Sequence, residues 1–185
     1  MNIFAISNNP VEAAQWMVDK HVVKMILETA QLLSTAHRIL DGEMVEGKKM
    51  VPGALPIRWR KFKKWKLPDD RDTVLYSATH INHPSAVWCR ASNNNYNWLY
   101  AHFLALLDEY TYRYGKVHKC ATLVDALRST PISIPVGYLT PVTPAMPDEY
   151  KVEHDSVTSY RNYYRVAKQR MHKWTKREKP EWINV

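Results

Sequence analysis

A helical period running from Val11 to Leu40 is the strongest constraint on this chain. Val11, Ala14, Val18, Val22, Met25, Ile26, Thr29, Leu33, Ala36 and Leu40 fall within one arc at about 100° per residue, so the segment reads as one long amphipathic helix. The "NNP" before it gives Asn9 as cap, Pro10 at the first helical position and Glu12 three residues past the cap. "DGEMVEGKK" ends it with turn chemistry. A helix of that length needs helical partners to cover its apolar side. "HPSAVWCR" opens a short one through Pro84 and Ser85, "SNNN" at 92–95 interrupts, and "YNWLYAHFLALLDEYTYRYG" makes a second long one that stops at Gly115. A further helical piece around Ala121 to Arg128 and a last helix capped by Asp155 and running through Lys173 complete the pattern. The fold class expected is mostly α, in a single compact helical domain spanning 1–185.

Three stretches do not fit helices. Asn2 to Ile6 reads as a short strand or extended arm. Residues 47–79 show no clear period, hold Pro52, Pro56 and Pro68, and read as a basic insertion. Residues 131–147 carry five prolines in "PISIPVGYLTPVTPAMP", which forbids regular structure and predicts an extended strap over the surface. The segment 155–185 forms the basic C-terminal helix and tail. No run of 18 apolar residues exists and the N-terminus lacks the pattern of an export signal, so neither a membrane partner nor export is expected. Cys89 and Cys120 make no disulfide framework, which fits reduced thiols and a cytoplasmic location.

Charge narrows the partner. Lys and Arg outnumber Asp and Glu by 26 to 18, for a formal +8, and the surplus is concentrated. Gly47 to Leu67 holds eight basic residues and no acid, and Tyr160 to Lys179 holds Arg161, Arg165, Lys168, Arg170, Lys173, Lys176, Arg177 and Lys179 against Glu178 alone. Such clustering suits a polyanion, although solubility also accounts for a net positive charge. In "RWRKFKKWK", Trp59, Phe62 and Trp65 recur among Arg58, Arg60, Lys61, Lys63, Lys64 and Lys66, so cations can meet phosphates while rings stack on bases. Asn82 and His83 stand at a helix start where they can face phosphate or base, with Arg90 about two turns on. Convergent ligands for zinc are lacking around His80 and His83, so no metal and no cofactor is expected.

On the long helix, His21, Lys24, Glu28, Gln31 and Thr35 follow spacings of 3 and 4 and form one polar stripe, with the apolar arc on one side and Val23 and Leu27 on the other. A stripe with apolar flanks fits a helix that lines a cleft. A solvated face with a Lys24–Glu28 pair is the plainer alternative.

These residues also carry a resemblance. "DKHVVKMILE" resembles the first helix of the phage pyrimidine-dimer DNA glycosylases of the endonuclease V type, in which an Asp, a His two residues later and a catalytic Glu nine residues after the Asp recur; Asp19, His21 and Glu28 match that spacing. "HPSAVW" and "DEY" at Asp108 to Tyr110 follow in the order seen across the wider superfamily, and "SYRNYYR" resembles the aromatic-basic C-terminal segment of the phage enzymes. Over nearly its full length the chain is most similar to a group of tailed-phage proteins, which brings no mechanism. The glycosylase resemblance implies a reaction in which an N-terminal α-amine attacks C1′ of the altered nucleotide while the helix glutamate stabilises sugar charge and later abstracts a proton. An α-amine, with an ordinary pKa near about 8, is a usable nucleophile at neutral pH.

The match is incomplete. The family begins with Thr then Arg after Met removal, whereas this chain begins Met1, Asn2, Ile3, and Leu27 and Gln31 stand where the family has arginines. The nucleophile is therefore open between the amine of Met1, Lys24 and a water. The sequence reading is a DNA glycosylase acting on a damaged or modified pyrimidine, in duplex DNA with a flipped base or in a single strand, with Glu28 central and His21 and Lys24 beside it. A non-catalytic nucleic-acid-binding protein and an enzyme acting on free nucleotides are the alternatives.

Overall fold

The structure is a computed structural model that describes residues 1–53 and 55–184. It is mostly α. The described residues form seven α-helices, short 3₁₀ turns and one two-stranded antiparallel sheet. Among them, no helix is long and apolar enough to cross a membrane.

The predicted first helix is two helices, α1 (Pro10–Gln15) and α2 (Asp19–Asp41). The start is as the sequence implies: the Asn9 side chain accepts from the N–H groups of Val11 and Glu12, with Pro10 at the first position. The break at 16–18 has a cause that lies far away in the chain. Arg113 donates to the Gln15 carbonyl, the Trp174 indole donates to the Trp16 carbonyl, and the Asp19 N–H donates to the Lys173 carbonyl. These partners satisfy the end of α1 and the start of α2, which a continuous helix would have satisfied internally. The apolar arc is nonetheless real. Ala14, Val18, Val22, Met25, Ile26, Thr29, Leu33 and Ala36 are all buried, while Val11 is exposed.

That arc packs on α5 (Asn93–Tyr114), with α4 (Pro84–Ala91) against both and α1 against α5. Ser92 alone separates α4 from α5, and its side chain caps α5 by accepting from the Asn95 N–H, so Asn93, Asn94 and Asn95 lie inside the helix and not between helices. Gly115 ends α5 with φ 64°, the left-handed conformation that glycine adopts without steric cost. A 3₁₀ turn at Lys119–Leu123 runs into α6 (Val124–Leu127). Asp155 caps α7 (Ser156–Ala167), which stops short of the predicted Lys173 and is followed by a 3₁₀ turn at Gln169–Met171.

The strap of residues 131–147 is extended, as its prolines require. The three asparagines of α5 tie it down. The Asn93 carbonyl oxygen of the side chain accepts from the Gly137 N–H, Asn94 donates to the Gly137 carbonyl, and buried Asn95 exchanges bonds with the Thr140 N–H and hydroxyl. The N-terminal arm forms no strand among the described residues; the Ala5 and Ile6 N–H groups donate to the Ile3 and Phe4 carbonyls, and the arm is internal, with Ile3, Phe4, Ala5 and Ile6 all buried.

The basic insertion is an ordered β-hairpin, which the sequence reading missed. Strand β1 (Glu43–Met50) pairs with β2 (Trp59–Lys66) from Glu43↔Lys66 to Met50↔Trp59. Gly42 joins α2 to β1, where a Cβ would stand 2.4 Å from the Arg38 carbonyl oxygen. Short α3 (Arg71–Val74) follows, and the hairpin base is fastened by buried Arg38, which donates to the carbonyls of Trp65, Asp72, Leu75 and Tyr76 and to the Asp72 carboxylate.

Candidate active site and nucleic-acid interface

The polar stripe of α2 is divided into three environments. His21 is buried, stacked on Phe4 with ring centroids 4.2 Å apart, and its Nδ1 meets the Tyr164 hydroxyl. Burial, and then the nearby Lys168 and Lys24 charges, push its pKa down to about 3, so it is a neutral ring inside the core. At the other end, Thr35 is buried and exchanges hydrogen bonds with the Thr79 backbone. Between them Lys24 is exposed and the Glu28 side chain keeps 13 % of its surface. Val23 and Leu27, expected as a second packed flank, are exposed, so the middle of the stripe is an open surface and not the wall of a deep cleft.

Two positive groups meet at Glu28. Its Oε1 lies 3.1 Å from Lys24 Nζ, and its Oε2 accepts from the Asn2 backbone N–H at 3.1 Å and lies 3.8 Å from the Met1 amine. The Met1 side chain is buried while the residue as a whole is only half-buried, so its exposed part is the amine end. Asn2 aims that amine. Its Oδ1 accepts from the Tyr160 hydroxyl at 2.7 Å and its Nδ2 donates to the Ala145 carbonyl at 2.9 Å. Tyr160 is itself fully buried on α7 and accepts from the Ala145 N–H. The arm, the strap and the last helix thus hold one amine against one carboxylate.

The loop before α4 forms the next wall. His83 caps α4 by accepting at Nδ1 from the Ser85 N–H, which leaves the ring proton on Nε2. Burial, the Met1 amine and His80 hold His83 below the usual histidine range while Glu28 pulls the other way, so all three lie within electrostatic reach of it. Asn82 is exposed, and Arg90 donates to the Ile81 carbonyl at 2.7 Å, which braces this loop.

The two basic segments have different fates. Arg58, Trp59, Arg60, Lys61, Lys63 and Lys64 are exposed on the hairpin, with Trp65 half-buried. Expected to contact nucleic acid, Arg161 is instead engaged by the fold: it lies between the rings of Trp16 and Trp182, 5.2 and 5.3 Å from their centroids, and donates to the Ile6 carbonyl. Arg165 donates to the Asn162 side chain. Arg177 pairs with buried Glu109, which also pairs with Arg113. The C-terminal surplus therefore serves packing as much as surface field.

The residues that sequence reasoning missed are Asn2 and Tyr160. The readable signal was the spacing of four between Tyr160 and Tyr164, which puts both hydroxyls on one face of α7, toward Asn2 and His21 respectively. A separate hollow of about 310 Å³ lies between the arm, α4, α5 and the strap, lined by Ser7, Trp88, Trp98, Pro141 and Asp155; Glu28 does not line it. Among the described residues no group of three His, Cys, Asp or Glu side chains is gathered as metal ligands. No protein-family profile, curated protein or solved structure matches this chain.

Proposed function

We propose that the protein is a DNA glycosylase with lyase activity on a damaged or modified pyrimidine, similar in its chemistry to the phage pyrimidine-dimer glycosylases. The observation that carries the reading is the meeting of the Met1 amine and Lys24 at the two oxygens of Glu28. Amine beside carboxylate is what the reaction needs. The amine, in its neutral form, attacks C1′ as the bond from C1′ to the base breaks, and the departing base takes the proton that the nitrogen gives up on forming the new bond. Glu28 stabilises the positive charge that develops on the sugar. Opening of the sugar ring then gives an iminium between the amine and C1′. Glu28 removes a proton from C2′, and the electrons expel the 3′ phosphate, cutting the strand. Water finally hydrolyses the imine and frees the amine.

Four neighbours take supporting roles. Asn2 and Tyr160 position the amine, His21 braces α2 from the core side, and His83 offers an Nε2 proton at the rim. Because Glu28 sits at an open surface, the reacting nucleotide has to be turned out of the stack to reach it, and the DNA itself must supply much of the enclosure.

The test is borohydride trapping and strand nicking on oligonucleotides that carry a pyrimidine dimer, an abasic site or a modified pyrimidine. Wild type is expected to form a covalent adduct, mapped by peptide mass analysis to residue 1. Glu28→Gln is expected to lose nicking by at least about 100-fold while DNA affinity changes little. An adduct on Lys24 would move the nucleophile to the helix. Absence of adduct and nick on every substrate, with DNA still bound, would sink the enzyme reading. The exposed basic hairpin would then favour the non-catalytic binder, for which Glu28→Gln is silent.

A further inference from the structure

The hairpin has a feature that glycosidic chemistry does not use. Pairing places Trp59, Lys61, Lys63 and Trp65 on one face with Met50, Lys48, Glu46 and Met44, and Arg60, Phe62, Lys64 and Lys66 on the other with Lys49, Gly47, Val45 and Glu43. Both faces are therefore cationic along a ribbon roughly 25 Å long. Phe62 lies over Gly47, where an added Cβ would come within 2.8 Å of the ring, so the glycine lets the ring cross to the facing strand. Beyond Met50 and Arg58 the charge stops. From Val51 to Ile57 the sequence has no charged residue, and Leu55 is 93 % exposed, Ile57 64 % and Trp59 64 %.

An apolar tip held out in water beside a basic stem suits a partner that is both anionic and stackable. We infer that the hairpin is an arm for duplex DNA, whose ribbon follows a groove along the phosphates and whose Leu55–Ile57 tip wedges between base pairs and bends the helix. A two-stranded ribbon fits the width of the major groove, and apolar side chains inserted at a base step kink DNA at a cost of a few kcal/mol that added contacts offset. A single-strand binder instead lines one side of a channel with cations and rings, which does not match a ribbon charged on both faces. An anionic bilayer needs its cations at one depth near the tip, whereas these run from tip to base.

The arm is also placed for the proposed site. Its Phe62 face, with Lys49 and Lys64, borders a hollow of about 390 Å³ with Ser77 and Ala78. The chain then passes Thr79, bonded to Thr35 on α2, and reaches His83. Thr35 lies about 10 Å along α2 from Glu28, a distance short enough for one duplex to span. The inference rests on DNA as the partner but not on the chemistry at Glu28.

The experiment measures end-to-end energy transfer and anisotropy on a doubly labelled duplex and on the single strand of the same sequence. Wild type is expected to prefer the duplex and to bring its ends together. Leu55→Ser/Ile57→Ser, at exposed positions, should keep affinity within about threefold and lose the bend. Lys61→Gln/Lys63→Gln/Lys64→Gln should lose affinity by at least about tenfold and lower the salt slope by about 2 to 3. A bend that survives the tip change, equal binding to single strands, or tip-dependent binding to phosphatidylserine vesicles without bending of DNA would overturn the arm. Bending by Glu28→Gln and wild type alike, with no trapping on any substrate, would keep the arm and remove the enzyme. No DNA affinity at all would remove both.

Discussion

At the residue scale the most consequential side chains are the buried neutral histidines. His21 is pushed down to about 3, and His37 and His102 to about 4, in each case by burial first. His37 shows what keeps it neutral: Nδ1 accepts from Arg71 and Nε2 donates to the Tyr96 hydroxyl, which passes its own proton to the Leu127 carbonyl. In the unfolded chain each ring protonates near 6.5, so between that pH and the folded values the unfolded state binds more protons. Stability is therefore full above about pH 6.5 and is lost as pH falls, with a slope of up to about 1.4 kcal/mol per pH unit for each ring. Urea titrations from pH 7.5 to 4.5 should show a steep fall of the midpoint; a flat profile would mean the rings are protonated in the folded protein. Of the Glu28 neighbourhood, helical spacing made Lys24 and Glu28 legible in the sequence, and the resemblance brought in Met1. The role of Asn2 was not legible, because its partners Ala145 and Tyr160 lie at the other end of the chain.

Among the elements, those legible in the sequence were the ones whose signals are local. Asn9 with Pro10, Asp155 and Gly115 each mark a helix end by chemistry within a few residues. The hairpin escaped because neither of its faces is buried in a core, so no alternation of apolar and polar residues betrays its period of two. Its aromatics Trp59, Phe62 and Trp65 recur every three residues, which in a strand sends Phe62 to the face opposite Trp59 and Trp65. The strap shows the reverse case, in which proline content predicted the shape and the run "SNNN" concealed the fastening. Asn95→Ala removes bonds to the Trp88 carbonyl, the Thr140 hydroxyl and the Thr140 N–H at a fully buried position. It should cost about 2–4 kcal/mol in urea unfolding and speed amide exchange at Thr140. Unchanged exchange there would mean that the strap is held from elsewhere.

For the whole molecule, the decisive contacts join its two ends. Arg113, fully buried on α5, pairs with Asp19 at 2.9 Å and with Glu109, while Asp19 also accepts from Thr175 and Glu109 from Arg177. Arg113→Met leaves two carboxylates short of a partner and should destabilise the protein by about 3–5 kcal/mol, with early proteolysis of the tail after Trp174 as its visible sign. An intact tail in a destabilised variant would show that the aromatic contacts of Trp174 and Trp182 hold it without the ion pairs. The same closure bears on how the chain comes off the ribosome. Asn2 waits for Tyr160, Trp16 for Trp174 and Asp19 for Thr175, so the amine cannot reach its set position until α7 has been made. Such sequence-distant pairing delays completion of the fold. A nascent or truncated copy would therefore display its basic hairpin, built from neighbours in sequence, before the Met1 amine met Glu28; on the function proposed above, it would hold DNA without cutting it.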